Sequence, residues 1–474
     1  MLGGGISGLA AAHRLAAEPG VEVIVMEASG RLGGKIKSSD FDGRAVDEGG
    51  DAFLTQGGHA LELCRALGLD DQLVAPSTNR AWLWKGGRLQ PFPPGLMLGV
   101  PIRPLKLLGS PLIGTRAALR AGLDFVMPRN VPRGDVSVAR LVRSRLGAEV
   151  ASTLVEPLIG GINAGRAECL GTAATAPRLA AAREHSRSLI RGLNAEQSLV
   201  QRDPSVPPFL GLRGGMGEMV SALERTLRER GAQIRLDCRV AAVERSGEGW
   251  VLRSRATSPG AGRATPVEDR PAVAGANDSV RADGIVVALP AWEAASVLEG
   301  PTPLGSGLLR KIPYASVAML TMSYEESAVS EPLPEGSGFL VPPVEHRAVT
   351  ACSWASAKWP HLGRPGEVLL RASVGRWGDG AALMLDDETL AKAVDRELAS
   401  VLGLAGGPTA TRVTRWNRAF PQFGVGHSDL VEEIERAVRA TGPAVLAGAA
   451  YGGVGIPACI RSGYTAADRM LSRL

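Results

Sequence analysis

The stretch GGGISG at residues 3–8 decides the fold, because it has the G-x-G-x-x-G spacing of a turn that holds dinucleotide phosphates. The first glycine permits a tight turn, the second lets the backbone approach a pyrophosphate, and the third lets helix and strand pack closely. The following GLAAAHRLAA predicts a helix whose N-terminus points at the phosphates. The stretch therefore predicts a dinucleotide-binding α/β unit at the start of the chain.

The strand that normally precedes such a turn is nearly missing, since only Met1 and Leu2 come before Gly3. We expect either a start site placed a few codons late or a natural truncation that weakens cofactor binding. The run VEVIVME at residues 21–27 predicts a parallel strand ending in Glu27, which is placed to accept hydrogen bonds from a ribose diol. Glycine turn, helix, strand and terminal acid together make the dinucleotide assignment specific.

Composition limits the other classes of protein. A chain of 474 residues exceeds one ordinary core, so we expect more than one domain. The net charge of +5 is mild for this length and does not indicate a nucleic-acid-binding protein. The five cysteines are odd in number and widely spaced, which favours a reducing cytoplasm and no zinc site. We find no signal peptide and no apolar run long enough to span a bilayer.

Two further motifs follow the first unit: ASGRLGGKIKS at residues 28–38 and DEGGDAFL at residues 47–54. With GGGISGLAAA, this layout resembles the amine-oxidase-like flavoproteins. The resemblance implies FAD, held by these motifs, by a strand through Val240, and by the later turn in PAVLAGAAYGGVGIPACI at residues 443–460. The cofactor-binding residues implied are Gly3, Gly4, Gly5, Ile6, Ser7, Gly8, Glu27, Ala28, Gly33, Gly34, Lys35, Gly49, Gly50, Asp51, Ala52, Val240, Trp416, Ala449, Val454, Gly455 and Ile456.

Seven further stretches, in order along nearly the whole chain, are similar to the oxygen-dependent porphyrinogen oxidases of haem biosynthesis. They are NRAWLWKGGRLQPFP (79–93), EPLIGGINAG (156–165), IPYASVAML (312–320), GFLVP (338–342), KWPHL (358–362), RWNRAFPQFGVGH (415–427) and AYGGVGIPACI (450–460). GVGIP and KWPHL look most like the Gram-positive type. The resemblance implies six-electron oxidation of coproporphyrinogen III to coproporphyrin III, with hydrides passing to FAD and O₂ giving hydrogen peroxide. Protoporphyrinogen IX is the alternative substrate.

The resemblance also implies the substrate residues. Arg80 matches an arginine that pairs with a substrate carboxylate, Gly161 and Leu340 match positions in the ring pocket, and Arg371 and Arg376 are candidate partners for further propionates. No side chain is assigned as catalytic, because the flavin performs the redox chemistry. No metal site is expected.

The expected fold is an FAD-binding Rossmann-like domain interleaved with a substrate domain of sheet plus helices. We predict that residues 1–79, 205–290 and 410–474 form the discontinuous FAD-binding domain. Residues 80–204 are expected to be a helical, substrate- and membrane-facing segment, and residues 291–409 a substrate-binding sheet. The Pro/Gly/Ala-rich insertion at residues 257–279 predicts a mobile loop.

The sequence also bears on the partners and location of the protein and on two alternative functions. The stretch at 95–114, with Arg103 and Lys106, can lie on a membrane surface or wall the substrate cavity. The chain is therefore expected in the cytoplasm or at the inner face of the membrane, with transient contact to a haem-pathway chelatase implied by the family. A flavin amine oxidase would normally carry a lysine where this chain has Met319. A non-catalytic lipid carrier of the same superfamily would not need the retained Glu27 and GGVGIP turn.

Overall fold

The computed structural model describes residues 1–128, 134–199, 203, 205–256 and 278–474. The predicted mobile insertion at 257–279 lies outside the described residues, apart from Asp278 and Ser279, which begin a strand. The chain forms two compact units. The first comprises Met1–Val74, Pro207–Pro313 and Asp429–Leu474, and the second comprises Ala75–Val206 and Tyr314–Ser428.

Helices and strands are both substantial in the two units, which confirms the α/β class. The described strands are β1 Ile24–Met26, β2 Ser38–Asp40, β3 Ala45–Asp47, β4 Phe53–Leu54, β5 Leu73–Val74, β6 Trp82–Lys85, β7 Arg88–Pro91, β8 Leu96–Met97, β9 Val100–Pro101, β10 Phe209–Leu212, β11 Gln233–Arg235, β12 Cys238–Ser246, β13 Gly249–Ala256, β14 Asp278–Ala282, β15 Ile285–Val287, β16 Tyr314–Glu325, β17 Gly338–Leu340, β18 Val349–Trp354, β19 Glu367–Val374, β20 Ala410–Pro421 and β21 Ala444–Leu446. The described α-helices are α1 Ile6–Leu15, α2 His59–Ala66, α3 Thr115–Gly122, α4 Val138–Leu146, α5 Ala148–Val150, α6 Glu156–Asn163, α7 Thr172–Thr175, α8 Pro177–His185, α9 Leu189–Ser198, α10 Gly217–Glu229, α11 Ala291–Val297, α12 Pro303–Leu309, α13 Ala355–Lys358, α14 Asp387–Leu402, α15 His427–Arg439, α16 Ala449–Gly452 and α17 Ile456–Leu471.

The parallel sheet of the first unit is completed by Leu2. Strand β1 pairs in parallel with β11, and β15 pairs in parallel with β21. Leu2 forms parallel bridges to both Met26 of β1 and Val287 of β15. Its amide donates to the Val286 carbonyl at 2.9 Å, its carbonyl accepts from Ala288 at 2.8 Å, and its side chain is fully buried. A bridging residue thus occupies the central position, where the sequence predicted a truncated strand.

Small residues bring helices α1 and α17 together in the first unit. A Cβ built on Gly463 of α17 would lie 2.3 Å from the Ser7 carbonyl oxygen of α1, so only glycine permits this approach. Helix α10 packs its Met219, Leu223 and Leu227 inward, and their spacing of four residues places all three on one face of the helix. This packing fixes the N-terminal ends of α1 and α17 in one unit.

A seven-stranded sheet organises the second unit, in the order β20-β16-β19-β18-β17-β6-β7. On one face, Leu320 and Ala372 pack with Leu390 and Val394 of α14 in a continuous buried core. The opposite face carries the alternate residues of the same strands, because side chains alternate across a strand. That second face lines the cavity described below.

The unit boundaries differ from the predicted domain boundaries at two places. Residues 410–428 belong to the second unit because β20 pairs with β16 along most of its length. Residues 291–313 belong to the first unit, where Glu293 of α11 holds Arg239 of β12 at 2.8 Å. The segment expected to be helical from residue 80 also begins with strands β6–β9, because WLWKGGRLQP forms a hairpin with positive φ at both Gly86 and Gly87.

Candidate functional site

The glycine turn has the geometry that each glycine position requires. Gly3 has φ +97°, and a Cβ there would stand 2.7 Å from the Ala288 carbonyl oxygen. A Cβ on Gly8 would lie 2.1 Å from the Gly3 carbonyl oxygen, so Gly8 closes the turn against its own helix. A Cβ on Gly5 would meet nothing within 4 Å. Helix α1 begins directly after Gly5, and the backbone at Gly5 is open to a ligand on that side.

Glu27 stands at the end of β1 and is bound to this turn. Its Oε2 accepts the Gly4 N–H at 2.8 Å, and its Oε1 accepts the Ser29 N–H at 2.9 Å and the Ser29 hydroxyl at 2.7 Å. The carboxylate is therefore fixed beside the glycine turn before any cofactor arrives. This is the position in which an acid accepts the hydroxyls of a ribose diol.

The RLGG turn is held by its own arginine, which sequence reasoning did not single out. The Arg31 guanidinium donates to the carbonyl oxygens of Leu32, Gly34 and Ile36. Gly33 donates its amide to the Gly4 carbonyl at 2.8 Å, so the second turn lies directly on the first. The fixed fork of a guanidinium can satisfy several carbonyls of one turn, and an arginine two residues before a Gly-Gly pair is the signal that could have revealed it.

Lys35, Ser7 and Cys459 form a polar group at the N-terminal ends of α1 and α17. The Lys35 side chain opens onto solvent but is crowded by protein, and this desolvation lowers the pKa of its ammonium, with the charge of Cys459 acting in the opposite direction. Burial raises the pKa of the Cys459 thiol, while the Ser7 hydroxyl and Lys35 oppose that rise. An uncompensated ammonium in such a place suits an anionic ligand.

Apart from Trp416, the remaining cofactor candidates lie in the same unit. Asp47 accepts the Met216 N–H at 2.8 Å, which anchors the start of the 47–52 turn, and a Cβ on Gly50 would meet nothing within 4 Å. Val240 is buried in β12 at a register shift. Helix α17 begins at Ile456, directly after Gly455, and a Cβ on Gly455 would also meet open space. These positions leave the backbone accessible, as an FAD-binding cradle requires.

The second unit contains a cavity of about 230 Å³ between α6 and the free face of the sheet. Its wall combines apolar groups, including Val317, Met319 and Phe420, with two charged side chains, Glu156 and Arg376. Arg376 is nearly buried, its Nε has no hydrogen-bond partner within the described residues, and Asp379 approaches it at 3.8 Å. Burial lowers the pKa of the Arg376 guanidinium, which still remains a cation at neutral pH.

The other substrate candidates occupy different places in the second unit. Gly161 and Arg376 line the cavity, and a Cβ on Gly161 would stand 3.6 Å from Leu340 Cδ2. Arg371 is buried on β19, two residues before the cavity-lining Ser373 and so on the same face of the sheet. Arg80 is exposed and pairs with Glu335 at 2.9 Å. The structure thus brings Gly161, Leu340 and Arg376 together and leaves Arg80 outside the cavity wall.

Trp416, predicted as a flavin neighbour, lies half-buried on β20 in the second unit. Like Phe420 and Trp377, it packs against a small buried cluster that includes the cavity-lining Val317. Its backbone pairs with Val317 across a register shift in β16. The indole therefore supports the cavity wall from within the sheet.

The chain belongs to the flavin-containing amine oxidoreductase family, whose model matches residues 6–471. It is therefore a flavin-dependent oxidoreductase. More particularly, it is similar to a protein named coproporphyrinogen III oxidase from Bacillus subtilis strain 168, with 31% identity over 487 residues, covering 100% of this chain and 98% of the relative. The protein of that name from Mycobacterium tuberculosis strain H37Rv is 32% identical over 479 residues, covering 100% and 97%.

A solved structure supports the same relationship. The Exiguobacterium sp. 255-15 protein described as "Putative protoporphyrinogen oxidase" is 29% identical, with a TM-score of 0.83 and coverage of 98% of this chain and 97% of that one. The similarity to porphyrinogen oxidases predicted from the seven sequence stretches is therefore confirmed. The expected flavoprotein fold is confirmed with it.

Proposed function

We propose that this chain oxidises coproporphyrinogen III to coproporphyrin III in haem biosynthesis, using FAD and O₂ and releasing hydrogen peroxide. The observation that carries the proposal is the full-length similarity to the Bacillus subtilis coproporphyrinogen III oxidase. The geometry is in agreement with it, because one unit has an open dinucleotide turn and the other has a largely apolar cavity with an arginine whose Nε makes no hydrogen bond within the described residues.

The residues of the first unit fit FAD. The amides at Gly4 and Gly5, at the start of α1, would bind the pyrophosphate, and the fixed Glu27 would accept the ribose hydroxyls. The Lys35 ammonium would add a positive charge at the ends of α1 and α17. When bound, FAD accepts the hydrides that the substrate loses.

The residues of the second unit fit the substrate. A porphyrinogen is a flexible, largely apolar ring with carboxylate side chains, and coproporphyrinogen has four propionates. Gly161 and Leu340 would contact the ring, and Arg376 would pair with a propionate because its Nε is buried and free to donate. Arg371 and the exposed Arg80 remain proposed partners for other propionates. Arg80 would exchange its ion pair with Glu335 for one with a substrate propionate. That Trp416 lies near the flavin stays a prediction.

Protoporphyrinogen IX is the second candidate, favoured by the description of the Exiguobacterium protein. An anaerobic mixing experiment separates the two. FAD-loaded protein is mixed with each porphyrinogen, and loss of oxidised-flavin absorbance is followed. Faster bleaching by coproporphyrinogen III supports the first proposal, and faster bleaching by protoporphyrinogen IX supports the second. If neither bleaches a flavin that is bound, the substrate is not a porphyrinogen.

The cellular setting is also proposed. Among the described residues, no helix combines the length and apolar character needed to cross a membrane. Leu105, Leu119 and Val126 are largely exposed in the second unit, beside the basic Arg103 and Lys106. We propose a cytoplasmic protein that can touch the inner face of the membrane through this surface and that passes its product to a chelatase. Co-sedimentation with anionic lipid vesicles, with and without Leu105→Ser, tests the membrane contact.

A further inference from the structure

A buried carboxyl in the cavity wall has no role in the function described so far. Glu156 is the first residue of α6 and is 9% exposed. Its Oε2 accepts the Ala167 N–H at 2.9 Å. Its Oε1 is buried and has no hydrogen-bond partner within the described part of the chain. Buried acceptors in folded proteins are almost always satisfied, so an orphaned oxygen at a cavity points to a donor that a ligand brings.

The wall beside this oxygen is made of glycine. Gly160 and Gly161 of α6 both line the cavity, and a Cβ built on Gly160 would lie 3.9 Å from Glu156 Oε1. Because neither residue has a side chain, the edge of a planar or bent ring can approach α6 closely at this turn. The orphaned oxygen therefore lies where a ring N–H can reach the wall.

The charges around Glu156 come from three other residues. Arg376 follows β19 and lines the same cavity, and Arg166 and Glu168 follow α6 in the chain. Burial raises the pKa of Glu156, with Glu168 adding to the rise, while the Ala167 N–H, Arg166 and Arg376 oppose it. Arg376 is close enough to interact electrostatically with Glu156, but its Nε makes no hydrogen bond within the described residues. The Oε1 atom of Glu156 is therefore still available as a hydrogen-bond acceptor.

We infer that Glu156 is the proton acceptor of the reaction: its Oε1 receives a pyrrole N–H hydrogen bond and takes that proton as the adjacent methylene is oxidised. This inference rests on the proposed function. In each two-electron step a C–H bond of a bridging methylene breaks, and the hydrogen leaves with its electron pair for the flavin, which is the oxidant. In two of the three steps a pyrrole N–H bond also breaks, its electron pair remains in the ring as a new double bond, and its proton goes to Glu156. In the remaining step the proton comes from the fourth bridging carbon, because the porphyrin keeps two N–H hydrogens. Three hydrides and three protons leave in all, so charge and atoms balance.

The test compares Glu156→Gln with wild type in anaerobic flavin reduction by coproporphyrinogen III. The amide oxygen of glutamine still accepts the Ala167 N–H but cannot take a proton. We expect reduction to slow by about 100-fold, the usual size of a general-base contribution. In wild type the rate should rise with pH as Glu156 ionises, above the usual glutamate range, and this rise should vanish in the variant. Glu388→Gln, an exposed change on α14 across the sheet, should stay within about twofold of wild type.

Two readouts separate a proton role from a packing role. Coproporphyrin binding to flavin-free protein, followed by fluorescence, should change less than about threefold in Glu156→Gln, since shape and the Ala167 bond are kept. At a pH low enough to protonate Glu156, flavin-free wild type should show an infrared band of its protonated carboxyl that is absent in the variant and is shifted by coproporphyrin. A porphyrin-insensitive band, or loss of porphyrin binding in the variant, would overturn the inference.

If wild-type flavin is bleached and Glu156→Gln is equally fast, only the proton role fails. If no porphyrinogen bleaches wild type, the proposed function fails with it.

Discussion

The Oε2 atom of Glu27 and the amide nitrogen of Gly4 lie 2.8 Å apart, which joins the end of strand β1 to the glycine turn. A hydrogen bond from a backbone N–H to a charged acceptor contributes roughly 1.5–3 kcal/mol of stabilising free energy. Glu27→Gln should therefore weaken FAD binding about tenfold, because the neutral amide holds both the turn and the ribose less strongly. Titration of flavin-free protein by fluorescence quenching measures this, with the exposed Glu22→Gln as control. Equal affinities for the two variants would contradict the assignment of Glu27.

Gly5 and Gly8 should respond to alanine in opposite ways. Gly5→Ala should leave stability within about 1 kcal/mol of wild type, because the added methyl meets open space. It should nevertheless raise the Kd for FAD at least ~10-fold by filling the space that a phosphate needs. Gly8→Ala should lower stability by about 2 kcal/mol or more, because its Cβ would overlap the Gly3 carbonyl. A thermal melt of each flavin-free variant, paired with an FAD titration, checks both expectations.

Lys35 should take up a proton when FAD binds. Desolvation lowers the pKa of its ammonium, so in flavin-free protein this lysine loses its proton at a lower pH than an ordinary lysine does. The pyrophosphate of bound FAD favours the charged ammonium and raises that pKa. FAD binding should therefore take up protons at pH values between the pKa in flavin-free protein and the higher pKa in the complex. Calorimetric titrations with FAD in two buffers of different ionisation enthalpy should reveal this uptake. Lys35→Met should remove it, and uptake that persists in the variant would place the titrating group elsewhere.

The flavin should be released when the protein is denatured. Burial raises the pKa of the Cys459 thiol, so little of the nucleophilic thiolate exists at neutral pH to attack a flavin. Acid precipitation of FAD-loaded protein should give a colourless pellet and a yellow supernatant. A yellow pellet that becomes colourless in Cys459→Ser would show a covalent bond and would favour the amine oxidase alternative.

A buried ion pair should govern the stability of the helical part of the second unit. Asp124 is fully buried, binds Arg145 Nε at 2.6 Å, and accepts from the Ser188 hydroxyl and the Ile190 amide. Asp124→Asn leaves the Arg145 charge without its counter-ion and should cost about 3 kcal/mol or more. Glu168→Gln breaks only an exposed pair with Arg143 and should cost less than ~1 kcal/mol. Urea denaturation followed by circular dichroism compares the two, and equal midpoints would contradict the distinction.

Local motifs made the first unit largely predictable from sequence. The starts of α1 at Ile6 and of α17 at Ile456 follow from glycine turns, and β1 follows from a run of apolar β-branched residues. These features depend on residues close together in the chain. The structure groups residues 410–428 with the second unit because β20 pairs with β16, and this pairing joins segments almost a hundred residues apart, which local patterns do not encode.

The cavity was only partly foreseeable. Gly161 and Leu340 were named from family resemblance, and Arg376 was named as a cation of the predicted substrate segment; the structure brings the three together. Glu156 stands inside the quoted stretch EPLIGGINAG, yet nothing in the sequence shows that Oε1 is left without a donor. That fact depends on where Ala167 and Arg376 lie in the folded unit, and therefore on tertiary packing.

The position of Leu2 between β1 and β15 has a consequence for how the protein is made. Its partner strand at residues 285–287 leaves the ribosome long after Leu2 does, roughly 15–60 s later at ordinary translation speed. Until then, the edge of Leu2 that faces away from β1 has no strand partner, and the face of α1 that packs on α17 stays uncovered until the segment Asp429–Leu474 is made. The nascent chain is thus a long-lived client for chaperones. Cofactor capture becomes a late event of synthesis, so prematurely terminated chains would stay colourless.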